Sequence, residues 1–208
     1  MASPSTSPER LRGVVLVVAA ANFAWFWLEV SVALAIGSVS LFADSVDFLE
    51  DTAVNLLIAI ALGWSLRRRA VVGHVMALVI LFPAVAAGLQ AVAKVRDPVP
   101  PEVLPLVLTA GGAIVVNAFC AWLLARVRHS GGSLSHAAYV SARNDVAVNA
   151  AIIVMGLVTA WTASGWPDLV LGVVILALGV TAAKEVWELA GEERLAARAL
   201  AGEDLDRP

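Results

Sequence analysis

Three aspartates offer the clearest chemistry in this sequence. Asp47 and Asp51 lie four residues apart in the segment SLFADSVDFLEDTAVN (40–55), and Asp145 is the sole carboxylate of HAAYVSARNDVAVNAAII (136–153). At roughly 100° per residue, a helix sets Asp47 and Asp51 about 40° apart in azimuth, one turn above the other, with Asn55 continuing the row. Asp44 lies on the same stripe one turn outward, whereas Glu50 points about 100° away from Asp51. On the second segment, Ser141 precedes Asp145 by one turn and Asn149 follows it by one turn on the same face. Asn144 is adjacent in sequence but rotated off that face.

Both segments are otherwise apolar, so these carboxylates are expected inside a bilayer. A charge there costs several kcal/mol, about 2.5–3.5 on insertion scales, and ionisable residues in membrane spans mark functional sites by default. Three carboxylates brought together repel unless they bind protons or hold a cation. Oxygen-rich clusters suit divalent metals, and a site filled alternately by metal and protons is an exchanger's machinery. The plainer alternative is that the aspartates hydrogen-bond between helices as structural glue. A same-face pair with a third carboxylate at matching depth favours the cation site.

Other polar residues carry weaker signals. Asn22 and Glu29 share a face of the first apolar stretch. Glu29 either lines the outer half of a pathway or pairs with a neighbouring helix. Arg143 is nearly opposite Asp145 in azimuth and is expected to meet a carboxylate or reach the interface. His74, His129 and His136 fall at span ends, as ordinary interfacial histidines do. Gln90 and Asn117 are expected to hydrogen-bond between helices.

The elements that position these groups follow from hydropathy. The chain has 208 residues, 60% hydrophobic and 15% charged, where a soluble domain carries roughly 25% charged residues. Mean hydropathy is +0.85. Apolar stretches cover approximately 12–36, 41–66, 71–94, 102–127, 135–162 and 167–190, each long enough to cross a hydrocarbon core of about 30 Å. This predicts an all-α membrane protein: a bundle of six transmembrane helices at 12–190, with a disordered cytoplasmic head at 1–11 and a short cytoplasmic tail at 191–208. Barrel strands are excluded, since they would alternate every second residue over about ten residues.

Eleven of the fourteen Lys and Arg residues lie at the head, after the second or fourth stretch, or around the C-terminal end. The positive-inside rule then places both termini in the cytoplasm. In that frame Asp51 and Asp145 each lie about 15 Å from their own side and meet near the midplane of a core of about 30 Å. Short connections separate the stretches, among them Gly37-Ser38-Val39-Ser40, Asp97-Pro98-Val99-Pro100-Pro101 and Gly165-Trp166-Pro167-Asp168. Cys120 is the only cysteine, so no intrachain disulfide or cysteine metal cluster is possible.

The stretch GSVSLFADSVDFLED (37–51) resembles the cation diffusion facilitator family of proton-coupled divalent-metal exporters. It has a Gly-Ser turn, an Ala-Asp pair, and two acidic positions four apart. Asn22 and Glu29 resemble polar positions of the family's first span, and Ser141-Ala142-Arg143-Asn144-Asp145 falls where the family has a second ligand pair. The resemblance covers roughly 12–190 and implies a metal site of Asp47, Asp51 and Asp145 with Ser141 at the fourth position. Asp44, Asn55, Asn144, Asn149 and Glu29 are accessory candidates.

Ser141 departs from the His or Asp found there in the family. That weakens a tetrahedral zinc assignment and favours a harder, oxygen-rich site for manganese or a similar ion, completed by Ser141, Asn144, Asn149 or water. The family's C-terminal cytoplasmic domain is not expected in this chain, which bears on whether it forms a homodimer. The expected partners are a divalent cation as transported substrate, protons and the lipid bilayer of a bacterial inner membrane. No permanently bound cofactor, nucleic acid or enzymatic activity is expected. The rival readings are a non-transporting membrane partner or metal sensor with an incomplete site and, behind it, an intramembrane hydrolase using paired aspartates.

Overall fold

In a computed structural model of the chain, residues 8–61, 64–127 and 132–200 are described. They form helices α1 (Pro8–Ile36), α2 (Val39–Ala61), α3 (Leu66–Lys94), α4 (Val103–Ala125), α5 (Gly132–Thr162) and α6 (Trp166–Leu200), with no strand among the described residues. The all-α membrane architecture is as the hydropathy requires. Boundaries shift where polar residues are helical: α3 starts at Leu66, so Arg67 and Arg68 belong to its first turn rather than to a loop. At the other end α6 runs on to Leu200, ten residues past the end of the sixth apolar stretch. Of the head expected to be disordered over 1–11, residues 8–11 instead form the first turn of α1, while residues 1–7, the tail residues 201–208 and His129 lie outside the described residues.

Three described helical segments are long and apolar enough to cross a membrane: Glu9–Ile36, Val103–Ala125 and Ala138–Thr162. Shorter apolar segments occupy Ala84–Lys94 and Trp166–Thr181. Helix α2 falls short of the same criterion for a physical reason. Its 23 residues include Asp44, Asp47, Glu50 and Asp51, the very carboxylates that make it of interest.

Packing arranges α1, α2, α5 and α4 as a ring, each against the next, with the α1–α2 and α4–α5 pairs the most extensive. Helices α3 and α6 pack on one another more extensively than any other pair and lean as a unit on α2. Small residues permit this closeness, as helices in lipid require. A Cβ at Gly172 of α6 would stand 2.6 Å from the Val39 carbonyl carbon at the start of α2. One at Gly73 of α3 would stand 2.8 Å from the Ala190 Cβ of α6.

The α1–α2 corner is built locally. Gly37 takes φ +68°, a left-handed conformation that an L side chain resists, and the Ser38 N–H reaches back to the Ala33 carbonyl at 3.0 Å to close the end of α1. Ser38 then caps α2, its hydroxyl accepting from the Leu41 N–H at 3.1 Å. Asp168 completes the corner from the first turn of α6, 2% exposed. Its Oδ1 accepts from the Ser38 and Ser40 hydroxyls at 2.6 Å each and from the Ser40 N–H at 3.2 Å, while Oδ2 accepts from the Val39 N–H at 2.8 Å. A carboxylate at two helix N-termini, its own and that of α2, also complements both dipoles. Lys94, at the end of α3, donates to the Gly37 carbonyl and so ties α3 to the same corner.

Candidate functional site

The α2 face predicted from spacing does point inward. Asp44, Asp47, Phe48 and Asp51 of α2, Asn117 of α4 and Asp145 of α5 line one narrow crevice. Asp51 is 12 residues from the start of α2 and Asp145 is 13 from the start of α5, hence about 18 and 20 Å along their helices. Each therefore lies in the middle third of its own helix. Helix α2 can deliver three carboxylates to one crevice because positions 44, 47 and 51 repeat at three and four residues.

Ser141 bridges the two acidic helices directly, its hydroxyl donating to Asp51 Oδ1 at 3.2 Å. Asp47 faces α6 as well: a Cβ at Gly179 would sit 3.1 Å from its Oδ1, so the glycine leaves the space this carboxylate occupies. Asn55 and Asn149 turn their amide N–H groups back to their own helices, to the Asp51 carbonyl at 2.8 Å and the Asp145 carbonyl at 3.1 Å. That leaves the Oδ1 atoms of Asn55 and Asn149, like that of Asn117, buried and without a hydrogen bond. Asp44 and Glu29 are buried side by side, close enough to share a hydrogen bond when one of them carries a proton. Glu29 is fully buried on α1 beside Asp44, next to the crevice rather than in its wall.

A buried oxygen without a donor is expensive to maintain, at about 1–3 kcal/mol each and more when charged. The chemistry of these donors is uniform: carboxylate and amide oxygens, with no nitrogen or sulfur ligand. Such a set suits a hard divalent cation. The crevice is nonetheless narrow. It has no room for a free water molecule, and among the described residues no three Asp, Glu, His or Cys side chains stand close enough together to grip one ion. Gripping a cation therefore requires the carboxylates to swing or α2 and α5 to shift.

Several residues fall elsewhere. Asn144 is exposed, and its Oδ1 accepts from Arg143 Nη2 at 3.4 Å, so the structure takes it out of the crevice. Arg143 is likewise exposed, and its Nη2 donates to this amide. His74 is half-buried, with Nδ1 2.7 Å from the Ala70 carbonyl and its ring edge-on to Trp187. Asn117 was expected as an interhelical partner but instead presents a bare oxygen to the crevice. Its sequence signal was present, since it is the one amide in the apolar α4.

The cation efflux transmembrane domain model matches residues 15–195, which takes in the crevice, the ring and the α3–α6 pair. The chain belongs to the cation efflux family. No curated protein sequence matches it. Membership bears out the resemblance carried by GSVSLFADSVDFLED, and makes this cation efflux protein an integral membrane protein and a metal cation transporter of that kind.

Proposed function

We propose that this cation efflux protein is a secondary active transporter that exports a divalent metal cation in exchange for protons. The reading is supported chiefly by one observation: carboxylates from α2 and α5 line a single crevice. Asp47, Asp51 and Asp145 hold the cation, and Ser141 lies at the fourth corner, already bonded to Asp51. Asn55, Asn117 and Asn149 offer neutral oxygens around it. All six helices span the bilayer, with both termini in the cytoplasm, as the distribution of Lys and Arg favours.

Exchange follows from competition. A carboxylate oxygen that carries a proton is a poor ligand, and a metal held by three carboxylates expels their protons. On the cytoplasmic side the metal displaces protons; rocking of the helices then exposes the site outward, where protonation releases the ion. The oxygen-only donor set favours manganese or a similarly hard ion over tetrahedral zinc. No part of this cycle calls for an enzymatic step.

A second reading, a non-transporting metal sensor or membrane partner, draws on the narrowness of the crevice and, among the described residues, its lack of a ready three-carboxylate grip. Reconstituted vesicles separate the two. Metal-dependent proton movement is expected from the native chain and is lost in Asp51→Ala and in Asp145→Ala. Metal binding without flux would establish the sensor, and normal flux in both variants would refute the site.

A further inference from the structure

Helices α1 and α3 both pack on α2 and leave a groove of about 630 Å³ between them. Its walls are Leu16, Ala19, Ala20 and Phe23 on one side and Val72 and Val75 on the other; α2 supplies the floor with Leu49, Thr52, Ala53 and Leu56. The one polar group in it, the Thr52 hydroxyl, is already engaged, donating to the Phe48 carbonyl at 2.8 Å. The groove is open along its length, and Leu16, Phe23 and Val75 in its walls are 42%, 46% and 53% exposed. It extends seven residues along α1, from Leu16 to Phe23, or about 10 Å.

The charges at one end identify its occupant. Arg12 precedes Leu16 by four residues and Arg68 precedes Val72 by four, so each stands one turn beyond the groove on the face of the wall it continues. Both are exposed. Helices α1 and α3 run in the same direction, so the two arginines mark the same end. Arginine stems can lie along apolar surface while their guanidinium groups reach the headgroup layer, where they pair with phosphate. A second copy of this chain would have to bring acidic groups against both arginines, whereas one molecule of anionic phospholipid meets the charge and the apolar trough at once.

We propose that this groove is a binding seat for an anionic phospholipid, with an acyl chain between α1 and α3 and the headgroup phosphate between Arg12 and Arg68. The lipid then backs α2 on the side away from its aspartates, since the floor residues 49, 52, 53 and 56 face opposite Asp47, Asp51 and Asn55. The inference concerns the lipid-facing surface and stands whichever way the transport question falls.

Native mass spectrometry of the detergent-solubilised full chain tests it, with palmitoyl-oleoyl phosphatidylglycerol and the matching phosphatidylcholine as probes. Phosphatidylglycerol adducts are expected to exceed phosphatidylcholine adducts roughly thirtyfold, the ratio that about 1 kcal/mol for each of two arginines near a headgroup gives. In Arg12→Gln/Arg68→Gln the two lipids become equivalent, and in Ala20→Trp, which fills the groove, both adducts fall to the level of unselective association. Circular dichroism and a monodisperse elution profile establish that each variant is folded; where Ala20→Trp is not, Leu16→Trp replaces it. Equal retention of the two lipids by the native chain overturns the proposal. So does a preference that survives either change, or a cross-linked dimer that the groove-filling variant abolishes.

Discussion

Ser141 ties α5 to α2 beside the crevice, its hydroxyl donating to Asp51. A neutral hydroxyl adds no charge and no nitrogen to the donor set. Replacing it with histidine is therefore expected to favour zinc over manganese, by about tenfold in relative affinity. Parallel titrations of the native and Ser141→His proteins with the two metals check this; an unchanged ratio would place position 141 outside the ligand set. Acidity gives a second handle at the same scale. Protons and cation compete for the same carboxylate oxygens, so metal affinity is expected to rise with pH. The slope approaches about tenfold per pH unit for each proton displaced. Calorimetry in buffers of different ionisation enthalpy counts those protons, and a pH-independent affinity would contradict exchange. At this scale the sequence was highly legible: positions 44, 47 and 51 share a face wherever they are helical. Asn117 was not, since a lone amide in an apolar helix gives no clue to which neighbour it meets.

Helices were legible for the same reason their contacts were not. Hydropathy marks the apolar length of a helix, so the cores of α1, α4 and α5 follow from composition. The extension of α6 to Leu200 does not, because its last turns are polar. Asp168 shows the limit most clearly. Read alone, Trp166-Pro167-Asp168 is a turn opening a helix, with proline and an acid where a first turn favours them. Its partners, Ser38, Val39 and Ser40, are about 130 residues away, and nothing local announces them. Four donors converge on this one carboxylate. Asp168→Ala strands them in a buried corner and is expected to destabilise the protein by about 2–3 kcal/mol, a lost cap plus an unmet buried donor. Thermal unfolding in detergent measures the loss. Asp168→Asn, which keeps one accepting oxygen, is expected to recover part of it. A variant as stable as the native chain would show that α2 is held at this end by packing alone.

At the scale of the whole molecule, the seams of the bundle differ in kind. Between α2 and α6 lie a backbone-close glycine and the buried Asp168 junction, and between α3 and α6 lies the most extensive packing. Packed interfaces of this sort resist sliding. Between α2 and α5 lie the crevice and the Ser141–Asp51 hydrogen bond, and this is among the least extensive of the helix contacts. Motion that opens the site is therefore assigned to the α2–α5 seam, with α3 and α6 moving as one body. A disulfide tests the assignment. Gly73→Cys/Ala190→Cys, in a Cys120→Ala background, places thiols on positions whose Cβ atoms approach within 2.8 Å, so a small outward adjustment reaches the usual spacing of about 3.5–4.5 Å. Oxidation is expected to leave metal flux in vesicles unchanged, because the bond joins two helices that already travel together. A loss of flux on oxidation, restored by a reductant, would mean that α3 slides on α6 during transport. The moving seam would then lie outside the four-helix ring, and the aspartates would be exposed by displacement of α6 from behind Asp47 rather than by parting of α2 and α5.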